Sequence, residues 1–92
     1  MSVLLIGGDK IENFKAILEQ MGAKKIKHWS SRRNSTSLKK LPNVDCVVML
    51  TEYLKHNTMH HFKKEAKKRG ISLVYSKDSV SFLRDEFAKV IH

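Results

Sequence analysis

Short apolar runs alternate along this chain with stretches whose apolar residues recur at helical spacing, and this alternation limits the fold more than any other feature. Residues 3–6, Val-Leu-Leu-Ile, are apolar without interruption and stop at Gly7-Gly8, the pattern of a strand buried on both faces. Residues 44–50 and 71–75 read as two more buried strands. Between the runs, Ile11, Phe14, Ile17, Leu18 and Met21 repeat at helical spacing up to Gly22, a left-handed stop. Met59, Phe62 and Ala66 form the stripe of a helix over 54–69 that Gly70 ends, and Leu83, Phe87, Val90 and Ile91 mark a last helix capped by Asp78 or Ser79. Asp9, with Glu12 three residues on, is expected to cap the first helix in a capping box. Residues 23–29, where Ile26 is flanked by lysines, suit an exposed edge strand whose charges blunt the edge.

Strands separated by helices need crossover connections, so the sheet is expected to be parallel, in the order 2-1-3-4. The fold class is therefore α/β: a small Rossmann-like three-layer domain with four parallel strands and about three helices. At 92 residues the chain has room for one hydrophobic core, which makes 1–92 a single domain. Residues 30–42 shift to Ser, Arg, Asn and Thr and read as a polar connector with at most one helical turn, at 37–41. With no long helix there, part of one sheet face or edge lacks cover, and a homodimer is expected as the way to supply it.

The longest apolar runs fall far short of the roughly 20 residues of a membrane span. The opening Met-Ser-Val-Leu-Leu-Ile lacks the basic and small-residue flanks of a secretory signal. Cys46 is the one cysteine and sits in an apolar run, which points to a reducing, cytoplasmic setting and an inert thiol. The charge is less ordinary: 18 Lys and Arg against 9 Asp and Glu give a net +9, a balance that attracts anions. Residues 24–40 hold seven of those cations and no acid, and Lys63, Lys64, Lys67, Lys68 and Arg69 form a second block broken only by Glu65.

In open parallel sheets ligands sit beyond the carboxyl ends of the strands. Four loops are expected there: Gly7-Gly8-Asp9-Lys10, residues 28–33, residues 51–57 and Ser76-Lys77-Asp78-Ser79. The succession Val-Leu-Leu-Ile-Gly-Gly-Asp, Ser-Leu-Lys-Lys-Leu-Pro, Thr-Glu-Tyr-Leu-Lys-His-Asn, Ala-Lys-Lys-Arg-Gly-Ile and Ser-Lys-Asp-Ser resembles the bacterial family known as domain of unknown function 2325. That resemblance spans nearly the whole chain and is most specific at 51–57 and at the Lys-Arg-Gly turn. It implies a compact Rossmann-like domain from a bacterium or its mobile elements, and it implies no particular chemistry.

Read from the residues, the leading function is non-enzymatic binding of an anionic, nucleotide- or phosphate-type partner in a basic cleft. Gly7, Gly8 and Asn57 would make close contacts, Lys10, Arg32, Arg33, Lys55 and Lys77 would supply charge, and His56 is expected to matter most. Neither dinucleotide nor P-loop spacing is present, since Asp9 and Glu12 stand where the dinucleotide pattern requires glycine. Two other readings stay open. Lys27, Trp29, Arg32, Arg33, Lys39 and Lys40 would suit nucleic acid, with bases stacked on aromatic rings, although such rings near strand ends also serve plain packing. His28, His56 and His60, the last two spaced i, i+4, would suit haem or a metal, although no third ligand is evident. Serines and threonines in the loops are accounted for by caps and turns, and the third strand ends in Thr51-Glu52, without the aspartate of a receiver-type phosphorylation site.

Overall fold

The computed structural model describes residues 1–30 and 40–91. The elements run β1 (Ser2–Ile6), α1 (Glu12–Gln20), β2 (Lys25–Trp29), β3 (Cys46–Leu50), a 3-10 turn (Thr51–Tyr53), α2 (His56–Arg69), β4 (Ser72–Ser76) and α3 (Val80–Ala88). The four strands form one parallel sheet in the order β2-β1-β3-β4, the order that the alternation of strands and helices predicts. Residues 37–39 of the helical turn expected at 37–41 lie outside the described residues, and Lys40 and Leu41 are in no helix.

Strand parity sends alternate residues to two separate cores. Val3 and Leu5 of β1, Cys46, Val48 and Leu50 of β3 and Val74 of β4 pack with Phe14 and Leu18 of α1 and Leu83 and Phe87 of α3. On the other face, Leu4, Ile6, Val47 and Met49 pack with Phe62 and Ala66 of α2 and with Leu41. Two helices therefore cover one face and α2 the other. Burying a single Phe or Leu stabilises by roughly 2 kcal/mol, against about 1 kcal/mol for a helix cap, so these clusters hold the helices in place.

The helix ends follow different chemistry. Gly70 is left-handed (φ 70°), and the Ile71 N–H donates back to the Ala66 carbonyl at 2.9 Å, closing α2 as the sequence suggests. Ser79 caps α3 through the Phe82 N–H at 3.3 Å. Asp9 does not cap α1: the helix starts after Ile11 with no side-chain cap, and the Asp9 carboxylate accepts from the Ser30 hydroxyl at 3.0 Å instead. The carboxylate thus ties the β1 and β2 loops together. Arg69 does similar work at the opposite end of the sheet, donating to the Leu41 carbonyl and, at 2.8 Å, to Asn43 Oδ1.

Candidate functional site

In the order β2-β1-β3-β4 the connections leave in opposite directions between β1 and β3, and the crevice beyond their carboxyl ends is the customary ligand position. Here it is built on Gly7-Gly8. Gly7 has φ 105° and Gly8 φ 74°. A Cβ on Gly7 would stand 3.1 Å from the Leu50 carbonyl oxygen and 3.2 Å from Leu50 Cβ, so glycine is needed both for its dihedral and for the close approach of β3. The Gly7 N–H donates to the Trp29 carbonyl at 2.9 Å. His28 Nε2 lies 3.1 Å from the Gly7 carbonyl and 3.0 Å from that of Gly8. Carbonyls only accept, so this nitrogen carries a proton and donates to both.

A depression of about 340 Å³ opens beside these glycines, lined by Gly8, Asp9, Lys10, Phe14, Leu50, Tyr53 and Asp78. Its walls are rich in carboxylates. Tyr53 donates to Asp78 at 2.5 Å, and the Asp78 N–H donates to Glu52 at 2.8 Å, which links the loops after β3 and β4. The hydrogen bond to Asp78, followed by desolvation and the charges of Asp78, Glu52 and Asp9, raises the Tyr53 phenol above its ordinary pKa. Lys10 is the one cation among the described residues of the lining. An anion entering here meets the Asp9 and Asp78 carboxylates.

A second depression, of about 290 Å³, lies on the α2 side of the same sheet end. Thr51, His56, Met59, His60, Lys63 and Tyr75 line it, and no carboxylate is among them. Three features of the chain meet at this point. Leu50 ends β3 in a 3-10 turn that puts Thr51 on the rim. Tyr75 pairs with Met49 across β3 and β4 and so projects to the α2 face, where the residue is 39% exposed. His56, Met59, His60 and Lys63 follow at the i, i+3, i+4 and i+7 positions of one helix flank. The first turn of α2 has no acid and Lys55 offers no side-chain cap, so its terminal N–H groups and the helix dipole add positive potential.

The described residues among those expected to form one basic cleft do not all line one depression. Gly8 and Lys10 line the acidic crevice, and His56 lines the acid-free depression. Lys55 is the residue preceding α2 and Asn57 lies in its first turn, both exposed. Lys77 sits with its ammonium 5.4 Å over the Phe82 ring. Arg32, Arg33 and Lys39 lie outside the described residues. Lys27 and Lys40 are exposed, and Trp29 is half-buried, its ring centroid 5.8 Å from that of Phe62. Of the histidines, His56 and His60 share the depression while His28 is bound to the glycine carbonyls. Among the described residues no group of three or more His, Cys, Asp and Glu is placed to hold a metal. Lys63 and Tyr75 were not joined to His56 by sequence reasoning. The signal available was the shared parity of Tyr75 with Leu73 and the helical spacing from His56 to Lys63.

The profile of a family described as an uncharacterized protein conserved in bacteria, DUF2325, matches residues 2–90. The chain belongs to that family. Searches of curated proteins and of solved structures each gave no match. In this DUF2325 chain the match takes in every strand and helix, including both depressions at the carboxyl end of the sheet.

Proposed function

We propose that this chain is a binding module for an anionic partner of phosphate or nucleotide type, held in the depression between β4 and the start of α2. The observation that carries the reading is the lining itself: Lys63, His56 and His60 with the hydroxyls of Thr51 and Tyr75, and no carboxylate. Phosphate oxygens accept from the Lys63 ammonium, from histidine N–H groups and from the Tyr75 hydroxyl, while the Thr51 hydroxyl would have to leave the Ser76 carbonyl to join them, and the uncapped start of α2 lies beside them. The acidic crevice at Gly8 argues for this side of the sheet over the customary one. His56 keeps the part expected of it, while Lys63 supplies the cation in place of Lys10, Lys55 and Lys77.

Titration calorimetry with inorganic phosphate and nucleoside mono-, di- and triphosphates tests the proposal. Lys63→Ala or His56→Ala is expected to weaken binding about tenfold or more, the size of one charge-assisted hydrogen bond. Lys10→Ala is expected to leave it unchanged. No heat with any of these anions, or a loss on Lys10→Ala without one on Lys63→Ala, refutes it.

A further inference from the structure

The two helical layers differ in charge. On one face of the sheet, α1 carries Glu12 and Glu19 against Lys15, and α3 carries Asp85 and Glu86 against Arg84. On the other, α2 carries Lys63, Lys64, Lys67, Lys68 and Arg69 against Glu65 alone. Even that acid is turned aside: its Oε1 accepts from the Leu41 N–H at 2.8 Å, and its carboxylate pairs with Arg69 at 3.5 Å. Among the three described helices, α2 is thus the one with a net positive charge, and its lysines lie on the solvent side.

We propose that the anion bound in the depression is one unit of a single-stranded nucleic acid, whose backbone continues along the outer face of α2 over Lys63, Lys64, Lys67 and Lys68. This inference rests on the binding role proposed for the depression. At about 1.5 Å per residue, the distance from His56 to Lys68 is ~18 Å, several times what one phosphate group can span. Phe62 and Ala66, opposite the lysines on α2, are buried on the sheet, so the four cations cover the solvent half of the helix. A small anion uses the first of them; a polyanion uses all.

The surroundings select among polyanions. A membrane-bound helix needs an apolar face free to insert, and the apolar face of α2 is already spent on Leu4, Ile6, Val47 and Met49. Every exposed residue of α2 is polar. The large exposed apolar group at this site is Tyr75, a ring beside His60 and Lys63. An aromatic face next to a cationic track is the arrangement that binds unpaired bases and their phosphates together.

Fluorescence anisotropy with a labelled single strand of about 12 nucleotides, the matching duplex and anionic phosphatidylserine vesicles, each at several salt concentrations, tests this. A mononucleotide is titrated by calorimetry in parallel. The single strand is expected to bind more tightly than the mononucleotide, with log K falling against log salt at a slope of about −3 for four lysine contacts. Lys64→Gln, Lys67→Gln and Lys68→Gln are each expected to flatten that slope by about 0.7, and Tyr75→Ala to weaken binding roughly tenfold. These lysines are exposed and glutamine keeps helix propensity, so circular dichroism should be unaltered; Lys15→Gln on α1 serves as the control and should bind as before. If the mononucleotide binds but the strand binds no tighter and the lysine variants have no effect, the nucleic-acid inference falls while the small-anion reading stands. If neither binds, both fall. Tighter binding of the duplex or of the vesicles than of the single strand also overturns it.

Discussion

Gly7 and Gly70 both have positive φ, yet alanine should cost very different amounts at the two positions. Gly70, at φ 70°, lies in the left-handed well and has nothing within 4 Å of a built Cβ. Gly70→Ala therefore meets only the dihedral penalty, about 1 kcal/mol, partly offset by the stiffer unfolded chain. Gly7, at φ 105°, lies outside that well, and its Cβ would meet the Leu50 carbonyl oxygen at 3.1 Å. That neighbour is backbone of a central strand and cannot turn away. Dihedral strain of about 1–3 kcal/mol and a packing cost of similar size then add, giving roughly 3 kcal/mol or more. A chain of this length has a total stability of only about 5–14 kcal/mol. At about 4–8 °C per kcal/mol, Gly70→Ala should lower Tm by about 5 °C and Gly7→Ala by about 15 °C or more. Scanning calorimetry with urea unfolding reads both numbers, and Gly70→Asn should recover part of the smaller loss because Asn tolerates the left-handed region. Equal losses at the two sites, or a larger one at Gly70, would refute the close approach of β1 to Leu50.

Burial, with the nearby Asp45 charge adding to it, pushes the Cys46 thiol up to about 12 from an ordinary 9.0. Above pH 9 the unfolded chain gives up this proton while the folded chain keeps it, so folding stability falls as pH rises, by roughly 1.4 kcal/mol per pH unit up to about pH 12. Urea midpoints between pH 8 and 11 should therefore fall more steeply for the wild type than for Cys46→Ala, and parallel slopes would dismiss a protonated core thiol. Arg69→Met removes the donors to the Leu41 carbonyl and to Asn43 and strips Glu65 of its ion-pair partner. Its expected cost in urea unfolding is about 1–3 kcal/mol; a loss below about 0.5 kcal/mol would mean that water replaces the guanidinium freely.

Much of the fold was legible because its signals are local. The short run Val3-Leu4-Leu5-Ile6, stopped by Gly7-Gly8, has the pattern of a doubly buried strand, and Phe62 with Ala66 marks the core side of α2. Asp9 misleads for the same reason: three-residue spacing to Glu12 suggests a capping box, while Ser30, whose hydroxyl it accepts from, lies at the end of a different strand. The acidic character of the Gly8 crevice was hidden likewise, because Asp9, Glu52 and Asp78 are far apart in sequence and converge only once β1, β3 and β4 are side by side. Tyr75 and His60 became neighbours by the same route. Strand parity could be read early, but which helix flank it would face depended on α2 crossing from β3 to β4.

The position of β1 has a consequence for how the chain is made. It precedes the other three strands in the chain and lies between β2 and β3, but Leu4 and Ile6 pack with Val47, Met49, Phe62 and Ala66, all in the second half of these 92 residues. A nascent chain that has reached only β2 can pair one edge of β1 and cover one face with α1. Its other edge stays open until β3, and its other face until α2, has emerged from the ribosome, leaving an apolar, hydrogen-bonding template that chaperones or other nascent chains can engage. Parallel pairing makes that interval unavoidable, because no tight hairpin can join β1 to a neighbour. The lysines of β2, set along the outer edge of such a half-made sheet, then protect the intermediate as well as the finished protein.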